Sequence, residues 1–197
     1  MTLLSRLPVT GWPFSQVFGV NPTLNNPHPV YGNYQPYGHD GIDIACPMDT
    51  PIYAPGDGVV DFSGDGRDMP YDMCIKWGFT TDPAAKWATG LAVFIDHGEF
   101  GTYYAHMNRT DLDHMTGQRI SAGTLLGLSG NSGRSGGPHV HWSAVKWPIN
   151  YNDGLYSRRD PLSFVGVETV TPIAPGNTGA PPAPELLIAG LPGIYLP

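Results

Sequence analysis

Glycine and proline punctuate this chain so often that long regular elements have little room. The sequence holds 26 glycines and 21 prolines in 197 residues. Proline removes a backbone donor and blocks a helix interior, and glycine there costs conformational entropy. The expected architecture is therefore mainly β, with short strands, many turns and little helix. Local patterns agree. Ile42-Asp43-Ile44-Ala45 alternates as a half-buried strand does, and Val59-Val60-Asp61-Phe62 follows a turn at Gly56-Asp57-Gly58. Ile52-Tyr53-Ala54 and Leu125–Leu128 are short apolar strands. Leu91–Ile95 and Thr102–Met107 flank Asp96-His97-Gly98, which reads as a hairpin turn. His139–Val145 is apolar and β-branched enough for a central strand. Between Ser63 and Gly90 the rhythm fails, and the segment reads as a long loop, with one or two helical turns at most near Pro83–Ala88.

Length and charge narrow the classes. The chain is long enough for one ordinary domain with its own core. Residues 1–165 are expected to form that domain, and 166–197, rich in Pro, Gly and Ala, a linker or C-terminal tail. Charged residues make up 14% and the net charge is −7, which argues against nucleic acid as a partner and against an anionic surface. No run is long enough to cross a bilayer. The two cysteines, Cys46 and Cys74, are expected reduced and buried, not bridged and not metal ligands.

Two distant stretches carry metal-binding chemistry. Gly38-His39-Asp40-Gly41-Ile42-Asp43 sets an imidazole and a carboxylate four positions apart. A flat strand would hold them about 13 Å apart. A turn through Asp40-Gly41, using the backbone freedom of Gly41, would fold His39 back beside Asp43. Pro138-His139-Val140-His141-Trp142 is the second stretch. On a strand, residues i and i+2 face the same way, so His139 and His141 would look into one site. Spacing alone leaves open which of the two would ligate. Two imidazoles and one carboxylate suit zinc and leave a fourth position open, which is the catalytic and not the structural arrangement. An ion held this way acidifies water and polarises a carbonyl. His106 and the spare histidine of the pair suit the proton transfers by residue type. Asp40 is expected to point away from His39 into solvent, and His97 to bond backbone in its turn. His28 and His114 are expected exposed. The Gly130–Gly137 loop has no lysine and enters a strand, so a phosphate-binding role fails.

Three blocks together resemble the M23 metallopeptidases, the lysostaphin-type endopeptidases of peptidoglycan. They are Gly38–Asp43, Tyr104-Ala105-His106, and Gly130-Asn131-Ser132-Gly133-Arg134-Ser135-Gly136-Gly137-Pro138-His139-Val140-His141. The resemblance spans roughly Pro8 to Val165. It implies one zinc ion held by His39, Asp43 and His141, with His106 and His139 as catalytic histidines handling the water proton and the oxyanion. It also implies an antiparallel β-sheet whose long loops wall a groove. Some members use a tyrosine near the oxyanion, for which Tyr31, Tyr34 and Tyr37 are the candidates. Ser63–Gly90 looks longer than in a minimal member, and Trp77 and Trp87 within it could touch substrate.

The activity so implied is zinc-dependent cleavage of peptide stems or cross-bridges in bacterial peptidoglycan. The alternatives are a non-catalytic member that binds peptidoglycan or activates another hydrolase, and a zinc carboxypeptidase. Met1–Arg6 shows no secretory core, which leads to the expectation of cytoplasmic synthesis and a phage lysin or virion-associated enzyme acting at the cell wall.

Overall fold

The computed structural model describes residues 3–20, 38–79, 86–113 and 115–166. His28, His114, the three candidate tyrosines and the Pro/Gly/Ala-rich segment from 167 onward lie outside the described residues. The fold is mainly antiparallel β, as the punctuation of the sequence predicts. The strands are β1 (Phe14–Gln16), β2 (Gly41–Ile44), β3 (Pro51–Tyr53), β4 (Gly58–Asp65), β5 (Leu91–Asp96) and β6 (Phe100–Met107). They continue with β7 (Arg109–Thr110), β8 (Arg119–Ile120), β9 (Leu125–Leu128), β10 (Val140–Lys146) and β11 (Arg158–Arg159). The large sheet runs β1-β2-β10-β6-β5-β4-β8, with β11 pairing on β10. A small sheet runs β3-β9-β7.

Strand alternation sorts each large-sheet strand between two cores. Ile42 and Ile44 of β2, Tyr104 of β6, and Val140, Trp142 and Ala144 of β10 share one cluster with Ile52 and Leu126 of the small sheet. Tyr103, Ala105 and Val145 turn to the opposite face, where a second cluster includes Phe94. The N-terminal segment closes the first core. Leu4 is fully buried and bridges Val165, and Gly166 donates its N–H to Leu4 O at 2.8 Å.

Ser63–Gly90 is more ordered than a loop. β4 runs on to Asp65, and Tyr71–Trp77 forms a seven-residue helix, α1. Pro70 precedes the helix, Asp72 lies in its first turn and Lys76 in its last. Gly78 then stops it in a left-handed conformation, with its N–H on Cys74 O and Ile75 O. Trp77 is therefore not a substrate contact: it is fully buried in the second core and donates to Asp61 Oδ2 at 2.9 Å. Cys46 and Cys74 are both free and buried, in different clusters.

Candidate metal centre and active groove

Asp43 and His141 face one another because of strand register. In the β2–β10 pairing His141 stands opposite Asp43, and on its other side His141 stands opposite Ala105 of β6. Directly opposed side chains on one face are the closest neighbours a sheet offers. His39 reaches them from just before β2. Its backbone is pinned to residues 19 and 20, with Gly19 N–H on His39 O and His39 N–H on Val20 O, both at 2.8 Å. Gly38 makes this possible: its φ is +98°, and a Cβ there would lie 2.5 Å from Gly19 O.

The chain does bend at Asp40, but Gly41 does not supply left-handed freedom there. Gly41 supplies space. A Cβ at Gly41 would lie 2.5 Å from Trp142 O and 2.9 Å from the His141 ring. Gly41→Ala should therefore cost about 1–3 kcal/mol of stability through overpacking. Equilibrium urea unfolding measures this, and a change below about 0.5 kcal/mol would remove the steric role.

Three ligand atoms converge. His39 Nε2 lies 3.1 Å from Asp43 Oδ1 and 3.1 Å from His141 Nδ1, and His141 Nδ1 lies 3.0 Å from Asp43 Oδ1. Tetrahedral zinc with bonds of about 2.0 Å sets its ligand atoms about 3.3 Å apart. The triangle fits that ion. The outer nitrogens are committed elsewhere. His39 Nδ1 faces Val17 O at 3.4 Å, and His141 Nε2 faces the Tyr103 hydroxyl at 3.2 Å. An outward N–H on each ring leaves an inward lone pair. The electrostatics favour positive charge at this point. Burial alone would raise the Asp43 pKa, yet His141 and His39 hold it well below the usual carboxylate range. Burial alone would lower His39, yet Asp43 and Asp40 raise it. Among the described residues no other three His, Cys, Asp or Glu side chains converge in this way.

His106 and His139 stand beside the triangle. His139 Nε2 is 3.6 Å from Asp43 Oδ1, and the His106 and His139 rings are 4.7 Å apart. His106 depends on an irregularity. Tyr104 pairs with Val93 and Met107 with Leu91, so Ala105 and His106 together oppose Ala92 alone. This is a β-bulge, with His106 at φ +62°. Simple alternation would send His106 to the core face with Tyr104. The bulge keeps both Ala105 and His106 on the groove face and returns Met107 to the core.

The glycine-rich loop sets both tautomers. His106 Nδ1 donates to Ser132 O at 2.8 Å, and His139 Nδ1 donates to Gly137 O at 2.8 Å. Each Nε2 is thereby left as an acceptor toward the groove. Burial, with His141 and His139 nearby, pushes His106 down to about 3, so its imidazole is neutral at neutral pH.

All five residues singled out in the sequence (His39, Asp43, His106, His139 and His141) line one groove of about 410 Å³. Ser15 and Gln16 of β1 form one wall, and Phe79, Ala88 and Thr89 from the irregular segment contribute another. Two expectations fare differently. His97 bonds backbone as expected, with Nδ1 on Asp57 O at 2.7 Å. Asp40 does not point to solvent. It is 9% exposed and accepts from the Tyr103 hydroxyl at 2.8 Å. Alternation counted through Asp40 fails because the strand begins only at Gly41. Tyr103, Asp40 and Arg158 behind His141 had no sequence signal, since Asp40 lies 63 positions from Tyr103 and farther still from Arg158.

Known proteins resemble this chain in sequence and in fold. Peptidoglycan DD-endopeptidase ShyA of Vibrio cholerae is 36% identical over 119 residues, which are 60% of this chain and 22% of that protein. The chain thus spans about a fifth of the length of that relative. A zinc-containing peptidase from Vibrio cholerae superposes with a TM-score of 0.54 at 26% identity, covering 73% of this chain and 37% of the other. The catalytic domain of lysostaphin from Staphylococcus simulans shares the fold, with a TM-score of 0.54 at 20% identity over 78% of this chain and 91% of that domain. The model of peptidase family M23 matches residues 37–153, a span that contains all five groove residues. The chain belongs to peptidase family M23.

Proposed function

We propose that this chain is a zinc-dependent endopeptidase that hydrolyses the peptide stems or cross-bridges of bacterial peptidoglycan. The observation that carries the reading is the triangle of His39 Nε2, Asp43 Oδ1 and His141 Nδ1, with edges of 3.0 and 3.1 Å, set in a groove. These three residues would hold zinc with one position left open. The ion, when bound, supplies Lewis acidity that polarises a scissile carbonyl and acidifies water. His106 and His139 present their Nε2 atoms beside that position. One Nε2 accepts the proton of the attacking water, and the N–H so formed donates to the developing oxyanion and then returns the proton to the leaving amine. The groove walls would bind an extended peptide on either side.

Membership of the family supports the peptidase chemistry, and the names of the Vibrio cholerae relatives support peptidoglycan as substrate. On this reading the protein acts at the bacterial cell wall, as a phage lysin or virion-associated enzyme would. The test is digestion of purified peptidoglycan from several wall types, followed by mass spectrometry of the muropeptides. Internal peptide bonds should be cut, activity should fall to background on chelation, and zinc should restore it. Digestion that survives chelation would defeat the zinc reading. Release of terminal residues alone would make the protein a carboxypeptidase.

A further inference from the structure

The outer nitrogen of His141 looks into a second cluster, which the proton transfers described above do not use. Tyr103 Oη lies 3.2 Å from His141 Nε2 and donates its own hydrogen to Asp40 Oδ2 at 2.8 Å. Asp40 Oδ1 is itself 3.5 Å from His141 Nε2. Arg158 Nε stands 3.8 Å from Asp40 Oδ2. The Arg158 guanidinium lies over the Phe79 ring at 4.8 Å and the Tyr103 ring at 5.7 Å, and it donates to Gly78 O at 3.2 Å. Arg158 is 5% exposed and Tyr103 is 3% exposed. Burying such charges is costly, and a buried ion pair is weak evidence for added stability. The pairing is better explained by what it orients. Arg158 belongs to β11, beyond residue 153, where the match to the family ends.

We propose that Tyr103, Asp40 and Arg158 form a positioning relay for His141. The Tyr103 oxygen accepts from His141 Nε2–H, the Tyr103 hydroxyl donates to Asp40 Oδ2, and Arg158 pairs with that same carboxylate oxygen. The proton is thus kept on Nε2, and Nδ1 is left as the lone pair at the metal position. The inference rests on reading His141 as a ligand. None of the three relay residues needs to touch substrate.

Two measurements test it. The first is the side-chain nitrogen NMR of the metal-free parent, at a pH well above the ordinary imidazole value of about 6.5. The relay requires the Nε2–H tautomer at His141, and an Nδ1–H tautomer overturns it without any variant having to fold. The second is zinc affinity by competition with a chromophoric chelator, read beside thermal unfolding of the metal-free protein. Partners of metal-bound histidines typically contribute 10–100-fold to metal affinity. Tyr103→Phe deletes one oxygen and keeps the ring, and it should weaken zinc by about tenfold or more. Asp40→Asn should weaken it by about 10–100-fold, and the double variant should lose little more than the worse single one. Zinc affinities within about twofold of the parent in both variants, whatever their unfolding temperatures, would reduce the cluster to a structural pair and overturn the proposal. If His141→Ala binds zinc as tightly as the parent, the ligand reading itself fails and takes the relay with it.

Discussion

Replacing His141 with alanine is expected to strip the chain of zinc and of hydrolytic activity together. The reason lies in strand pairing. Asp43 and His141 are opposed residues on β2 and β10, with Oδ1 and Nδ1 3.0 Å apart, and His39 Nε2 completes the triangle. Tight protein zinc sites bind with about 10–16 kcal/mol over four ligands, so one ligand carries about 2.5–4 kcal/mol. Its loss should weaken zinc by about 10²–10³-fold. Fold should survive, because Val140 and Trp142, which hold β10 to the first core, are untouched. Zinc content by atomic absorption, circular dichroism and muropeptide release measure the three consequences separately. A His141→Ala protein that keeps stoichiometric zinc and digests wall would remove His141 from the ligand set.

His106→Ala should separate metal binding from catalysis. His106 belongs to the groove but not to the triangle, its ring centroid standing 6.0 Å from that of His141. Its Nδ1 is spent on Ser132 O, and burial with two imidazoles nearby keeps it neutral. A positioned acid–base group typically contributes about 10²–10⁴-fold in rate, and that is the loss expected here, with zinc affinity nearly unchanged. His106→Ala digesting peptidoglycan at the parent rate would exclude it from the proton transfers. Loss of zinc together with rate would instead give it a structural role. His106→Gln adds a control, since it retains a polar group but cannot act as a base.

Much of this molecule was legible in its residues, for reasons that differ from element to element. β2, β5, β6 and β10 announce themselves through alternation and apolar runs bounded by turns. The five groove residues were legible only in combination, because resemblance across three blocks chose between His139 and His141 where strand geometry could not. What escaped the sequence was long-range or irregular. The register that sets Asp43 against His141 joins residues almost a hundred positions apart. The bulge at Ala105-His106 carries no local mark: neither residue is glycine, and His106 takes its left-handed conformation because the loop carbonyl at Ser132 and the core contacts of Tyr104 and Met107 hold it there. α1 carried start and stop signals at Pro70 and Gly78, but seven residues are too few for a helical period to emerge, and only Cys74 and Trp77 are buried. Asp40 was misread because parity was counted across a bend.

The bridge between Leu4 and Val165 has a bearing on larger architectures. It brings the entry and exit of the described body to one place, so a neighbouring module joined at either end would be tethered at the same point. Such a module would raise the effective concentration of its ligand around the groove from a single direction, whichever end carried it. Order along the chain would then matter less than linker length, and modules could be exchanged between the two ends with little change in what the groove meets.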